Sequence, residues 1–160
     1  MSTSSIRPSH PETANTDAEI ICHHRRAMFR DMGHPDDAVM ESMVAAFRPW
    51  VEQRLASGEY RAWFAYNPDG EIVAGAGIWL MDWAPHMIAP GQPRANLINV
   101  YTEPTHRRKG LARELMAELL DWCRSSGIRV VILHASNEGR SLYAALGFAP
   151  TNEMRIVLEE

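Results

Sequence analysis

Fifteen of the sixteen cationic side chains are arginine, and the single lysine, Lys109, stands in the densest basic cluster of the second half, His106-Arg107-Arg108-Lys109. Gly110-Leu111-Ala112 follows at once and opens a helical pattern. No Ser, Thr, Asp or Asn stands immediately before Gly110 to satisfy the unpaired N–H groups of a first helical turn. Those groups carry partial positive charge, so an anion can cap them instead, and Gly110 and Ala112 keep bulk away from the backbone. Arg107, Arg108 and Lys109 add full charges around the same point. The spacing is not that of a nucleotide P-loop, which needs G-x-x-x-x-G-K-[ST]. Gly75-Ala76-Gly77 lacks the third glycine and following helix of a dinucleotide fingerprint. The residues point to an anion-binding turn, with a solvated basic turn as the alternative.

Acid–base candidates flank this turn. Glu103 follows an apolar strand, His106 lies in the basic loop and His134 ends a later strand. Each could take a proton from an ammonium, the histidines nearer neutrality. A solvated turn residue, a loop histidine and a structural histidine are the competing readings. Tyr143 is either a hydroxyl donor or a packed aromatic. Cys22-His23-His24 makes no metal site, because adjacent helical residues point about 100° apart and no second Cys/His pair at zinc spacing follows. Cys22 and Cys123 read as core thiols.

These residues need a scaffold that brings a strand end, a helix start and a later turn together. A chain of 160 residues with 46% hydrophobic residues can bury a core without disulfide or metal. Residues 17–32 suit a helix that Gly33 and Pro35 terminate. A second helix should begin near Asp36 or Asp37. Its apolar set of Val39, Met40, Met43, Val44, Phe47, Val51 and Leu55 recurs at three- and four-residue steps, and Pro49 predicts a kink or break. Residues 62–66, Asn67-Pro68-Asp69-Gly70 and 71–81 read as strand, tight turn and strand. A loop over 83–93 gives way to a strand over 94–102. Residues 110–125 form an amphipathic helix stopped by Gly127, 129–134 a strand, 138–145 a short helix and 148–158 a final strand or hairpin pair. The order predicts one α/β sheet with helices on both faces and with the 97–102 and 129–134 strands parallel.

The net charge of −4 argues against nucleic-acid binding. No apolar run approaches the roughly 18 to 20 residues that span a bilayer, and residues 1–16 lack a signal-peptide core, so a cytoplasmic placement is expected.

Arg107-Arg108-Lys109-Gly110-Leu111-Ala112 matches the pattern [RQ]-x-x-G-x-[GA] after a strand. Asn137-Glu138-Gly139-Arg140-Ser141-Leu142-Tyr143-Ala144-Ala145-Leu146-Gly147-Phe148 sets an Asn before a short helix ending in Tyr-x-x-Leu-Gly-Phe. With both segments in this order, the chain resembles the GCN5-related N-acetyltransferase (GNAT) superfamily, from Ile6-Arg7-Pro8 to the last strand. The resemblance implies a single acetyltransferase domain over residues 1–160, with residues 1–4 open to disorder. It implies a GNAT-like mixed central sheet of about six to seven strands, split between the strands at 97–102 and 129–134.

Acetyl-CoA is the implied acyl donor. Its pantetheine would pair with the strand backbone at Val100, Tyr101 and Thr102, and its pyrophosphate would rest on the N–H groups from Arg108 through Gly110 and Leu111 to Ala112. Arg107 and Lys109 would add charge there. Asn137 would hydrogen-bond the pantetheine arm, and Tyr143 would protonate the departing thiolate. Glu103 is the candidate base, with His106, His134 or water alone as alternatives.

The acceptor region implied by the resemblance is residues 29–37 together with the strand carrying Trp79, Met81 and Trp83. Asp31, Asp36, Asp37, Glu41 and Asp82 fall in this region and hint at a cationic amine, although a solvated face explains them equally. The implied activity is acetyl-CoA-dependent N-acetyl transfer to a primary amine of a small molecule or peptide, by direct attack in a ternary complex. The alternative is a non-catalytic acyl-CoA-binding regulatory or sensor module. A homodimer through the apolar 79–88 region is a further expectation, and neither nucleic acid, membrane nor metal is an expected partner.

Overall fold

The computed structural model describes residues 4–159. Its elements are β1 (Ser5–Pro8), a 3-10 turn (Pro11–Thr13), α1 (Ala14–Asp31), α2 (Ala38–Ser57), β2 (Tyr60–Tyr66) and β3 (Ile72–Met81). After these come β4 (Arg94–Thr102), a second 3-10 turn (Pro104–His106), α3 (Leu111–Ser125), β5 (Val131–Leu133) and α4 (Arg140–Ala145). The five strands form one sheet in the order β1-β2-β3-β4-β5. Pairing is antiparallel from β1 to β4 and parallel between β4 and β5, with α3 as the crossover that a parallel pair requires.

Local chemistry sets the element ends. The Asp37 carboxylate accepts from the N–H groups of Val39 and Met40 and so caps α2, which ends at Gly58 in the left-handed region. Pro49 does not break this helix. Burial of Phe47, Val51 and Leu55 outweighs the one backbone bond that proline removes. In the β2–β3 turn, Asn67 Oδ1 accepts from the N–H groups of Asp69 and Glu71 at 3.0 and 2.9 Å, an Asx turn that closes the hairpin. Past α3 the Ile128 N–H donates to the Cys123 carbonyl at 2.8 Å around Gly127, the expected stop.

Two apolar layers sandwich the sheet. Leu111, Leu115, Met116, Leu119 and Cys123 of α3 pack with Trp63, Ala65, Ala74, Ala95 and Leu97. On the opposite face, Ala18, Ile21 and Cys22 of α1 and Phe47, Val51 and Leu55 of α2 pack with Tyr60, Ala62 and Phe64. Strand β2 therefore contributes alternate residues to both layers, which explains why it is apolar along most of its length. Leu115 is fully buried, and truncation to Ala at such a site costs about 2–5 kcal/mol. Both cysteines are free and buried, as core thiols. A salt bridge at 2.8 Å between Arg7 of β1 and the buried Asp17 ties the edge strand to α1.

The strand count departs from expectation. The sheet has five strands rather than six to seven, because residues 148–158 form no ladder among the described residues. Met154, Ile156, Val157 and Leu158 carry the strand pattern but stand exposed. A strand needs an edge to pair with, and three-residue β5 offers a short one, while Pro150 lacks an N–H to contribute. The expected disorder at residues 1–4 falls largely on residues 1–3, outside the described residues. Among the described residues, no helix is long and apolar enough to cross a membrane.

Candidate functional site

The site begins where two parallel strands part. β4 and β5 pair only at Ala95, Asn96 and Leu97 against Val131, Ile132 and Leu133, so among the described residues the part of β4 carrying Val100, Tyr101 and Thr102 has no partner on that side. On its other side β4 carries a bulge. Gly77 faces Ile98 and Gly75 faces Tyr101, so two steps of β3 span three of β4. Asn99, at φ 59°, absorbs the extra residue in a conformation that Asn tolerates better than most side chains.

The Asn99 side chain is used at both ends. Its Oδ1 accepts from Arg25 at 2.8 Å and its Nδ2 donates to the Tyr60 hydroxyl at 2.9 Å. Gly77 makes room for that hydroxyl, since a Cβ there would fall 2.1 Å from it. Burial pushes the Tyr60 pKa up, so the hydroxyl stays protonated.

Beyond the strand, the basic turn has the geometry of an anion cradle. Arg108 at φ 61° and Gly110 at φ 83° both lie in the left-handed region, and no side chain among the described residues caps α3. The N–H groups of residues 108–113 have no acceptor among the described residues, and the first bond at this end runs from Glu114 to the Gly110 carbonyl. Six consecutive donors around two left-handed residues suit a phosphate. Gly110 is required by its φ, since a Cβ there would meet nothing within 4 Å.

Arg108 and Lys109 make no ion pair among the described residues, which leaves their charge for this turn. Arg107 is turned elsewhere. Its Nε donates to the Thr102 carbonyl at 2.9 Å, its Nη2 pairs with Asp31, and its guanidinium lies over the Tyr101 ring. It braces the turn against α1.

At the end of β4, Glu103 Oε1 lies 2.9 Å from His23 Nε2, and the Tyr101 hydroxyl approaches Glu103 Oε2 at 3.4 Å. Burial, reinforced by Glu103 and Asp31, raises the Tyr101 pKa. Neighbouring His24 is buried and pushed down to about 4, mainly by desolvation with His23 adding to it, so it is neutral near pH 7. The other base candidates stand apart from this group. His106 Nδ1 lies 2.9 Å from Thr105 Oγ1, and His134 Nε2 lies 2.8 Å from Glu153.

Asn137, exposed in the turn before α4, makes no side-chain hydrogen bond among the described residues. Tyr143 packs edge-on against Phe148, and its hydroxyl has no partner among the described residues. Burial raises its pKa, which keeps the proton on oxygen through the neutral range.

Two cavities open on the α1/α2 side. One of about 390 Å³ is lined by Arg25, Ala46, Phe47, Trp50, Trp79, Asn96 and Ile98. The other, of about 340 Å³, lies over Phe29, His34, Pro35, Asp37, Val39, Met40 and Met43. The expected acceptor region thus supplies Trp79 to the first and part of 29–37 to the second.

Sequence reasoning missed Arg25, His23, Tyr60, Asn96 and Asn99. A signal existed for the two asparagines, polar residues in an otherwise apolar strand. None existed for His23, whose partner is eighty positions away.

Comparison with known proteins agrees with this geometry. The Acetyltransferase (GNAT) family model matches residues 20–148. A GCN5-related N-acetyltransferase from Ralstonia eutropha JMP134 superposes with a TM-score of 0.87 at 34% identity, over 98% of this chain and 99% of that one. An aminoglycoside N(6')-acetyltransferase type 1 from Serratia marcescens is 32% identical over 147 residues, 84% of this chain and 93% of its own. A glucosamine 6-phosphate N-acetyltransferase from Trypanosoma brucei brucei is 30% identical over 109 residues, 68% of this chain and 72% of its own. With a parted strand pair, an uncapped basic helix start and a family match over most of its length, the chain belongs to the acetyltransferase (GNAT) family.

Proposed function

We propose that the chain, as one acetyltransferase domain over residues 1–160, transfers an acetyl group from acetyl-CoA to a primary amine of a small molecule or peptide by direct attack in a ternary complex. The observation that carries this reading is the run of unpartnered N–H groups over residues 108–113 beside the free edge of β4. Those donors, with Arg108 and Lys109, suit the pyrophosphate. The split-side backbone of Val100, Tyr101 and Thr102 suits the pantetheine amides, and exposed Asn137 suits the arm between them.

Bound acetyl-CoA supplies the activated acyl carbon: amine attack forms the C–N bond and breaks the C–S bond. The chain's own groups handle charge and protons. A backbone N–H of parted β4 meets the charge that develops on the carbonyl oxygen. Glu103, held by His23, takes a proton from the ammonium directly or through water, Tyr143 gives its proton to the thiolate, and the second proton that the nitrogen sheds after attack restores the tyrosine. A hydroxyl with no partner of its own supports this reading over an acyl-CoA-binding module without catalysis. Thiol release from acetyl-CoA against a panel of primary amines tests it. Release with at least one amine is expected, and binding without release from any amine would establish the module instead.

This reading extends to a cytoplasmic homodimer. The chain exposes 10350 Å², against roughly 8,000 Å² for a compact monomer of its mass. Met87 of the 79–88 stretch is 93% exposed, and Met154 is 94% exposed. Exposed apolar side chains of this kind are what a second copy would cover. Sedimentation at micromolar concentration should give two copies, and a single copy would contradict it.

A further inference from the structure

Arg25 differs from its neighbours on α1. Arg26 pairs with Asp36 and Glu41, and Arg30 pairs with Asp36. Arg25 has no carboxylate within ion-pair distance among the described residues. Its Nη1 donates to Asn99 Oδ1 and its Nε reaches Met43 Sδ at 3.4 Å, while Nη2 has no partner among the described residues. The guanidinium lies 4.4 Å from the Phe47 ring centroid and 5.1 Å from that of Phe29. Burial in these apolar surroundings lowers its pKa. A half-buried charge without a counter-charge is costly, and a ligand that brings the counter-charge relieves that cost.

A second polar group in the same cavity is also unanswered. Asn96 Oδ1 is buried with no hydrogen-bond partner among the described residues. The walls between these two groups are aromatic: Trp50 and Trp79 meet edge-on at 5.1 Å, and Phe47 stacks on Trp50 at 5.6 Å. Through Asn99, Arg25 is tied to the bulge from which β4 parts from its neighbour.

We propose that the acceptor taken in this cavity is an amine that also carries an anionic group. The anion pairs with Arg25, and an apolar or aromatic body lies against Trp50 and Trp79. The inference rests on the acetyltransferase reading above. A cavity of about 390 Å³ suits a small molecule. A polycationic amine would set its charge against Arg25. Four of the five acidic residues that hinted at such a substrate are occupied elsewhere: Asp31 by Arg107, Asp36 and Glu41 by Arg26, and Asp37 by the start of α2. Amino carboxylates and amino phosphates share the required chemistry.

Calorimetric titration of the full chain distinguishes them: phenylalanine against phenethylamine, and O-phosphoethanolamine against ethanolamine, repeated on Arg25→Gln and Arg25→Lys. The anion-bearing member of at least one pair is expected to bind at least about tenfold tighter, consistent with one charge-assisted contact. Arg25→Gln should erase the difference and Arg25→Lys should retain part of it. The pair that shows the difference names the anion. Equal binding within both pairs, tighter binding of the anion-free amines, or no binding of any probe overturns the inference, and wild type alone suffices for that result.

Thiol release in the same samples with acetyl-CoA separates the two levels. Release from anion-free amines alone overturns this inference and leaves the acetyltransferase standing. Anion-dependent binding with no release from any amine overturns the acetyltransferase reading, and with it the cavity's role as an acceptor site.

Discussion

The imidazole Nε2 of His23 and the carboxylate Oε1 of Glu103 lie 2.9 Å apart across the junction of α1 with the end of β4. The pair gives Glu103 a fixed orientation that a solvated turn residue would lack. It also joins the end of β4 to the helix that carries Arg25.

Glu103→Gln keeps the size and hydrogen bonding of the side chain but removes its basicity. We expect kcat to fall about tenfold or more near neutral pH and to recover as pH rises toward the pKa of the amine, where the nucleophile needs no base. His23→Gln should give a smaller loss of the same shape, as a positioning residue does. The pH profiles of kcat for wild type and both variants check this, and superimposable profiles would leave the pair with a structural role only.

Tyr143 keeps its proton because burial raises its pKa, and its hydroxyl has no partner among the described residues. Tyr143→Phe preserves the ring packed on Phe148. It should lower kcat by roughly tenfold, below the usual range for general acids because a thiolate leaves readily, with acetyl-CoA affinity unchanged. Steady-state kinetics beside a binding isotherm separate the two quantities, and an unaltered kcat would assign the residue to packing.

His24 makes stability depend on pH. Its pKa is about 4 in the folded chain against 6.5 for the free side chain, so between those values the unfolded chain holds the extra proton. Stability is therefore full above about pH 6.5 and falls as pH drops toward 4, by about 3 kcal/mol in all. His24→Gln should remove this part of the slope. Urea unfolding of both proteins at about pH 7 and about pH 4.5 tests it: the wild-type midpoint should drop more than that of the variant.

Much of this architecture was legible because it is local. The Asn67 turn, the Asp37 cap, the Gly127 stop and the stripe of α3 each follow from residues within a few positions of one another. The uncapped helix start at Gly110 was legible for the same reason. The ladder is not local: whether residues 148–158 form a strand depends on the edge available to them, and β5 spans only three residues. Nor is the cavity beside α1 and α2 local, since Arg25, Asn96 and Trp79 come from one helix and two strands and meet only after the sheet forms. The bulge at Asn99 is set by register between strands, which composition does not encode.

The most direct measurement is calorimetric titration of wild type and Gly110→Glu with acetyl-CoA. Glutamate would add a carboxylate beside the six donors and strain a position held at φ 83°, so far-ultraviolet circular dichroism should confirm that the variant stays folded. The account predicts saturable binding to wild type and a loss of at least about a hundredfold in the folded variant, as expected when charge repulsion replaces several charge-assisted contacts. Equal affinity in the two proteins, or no binding to wild type, would contradict the assignment of the donor to this turn.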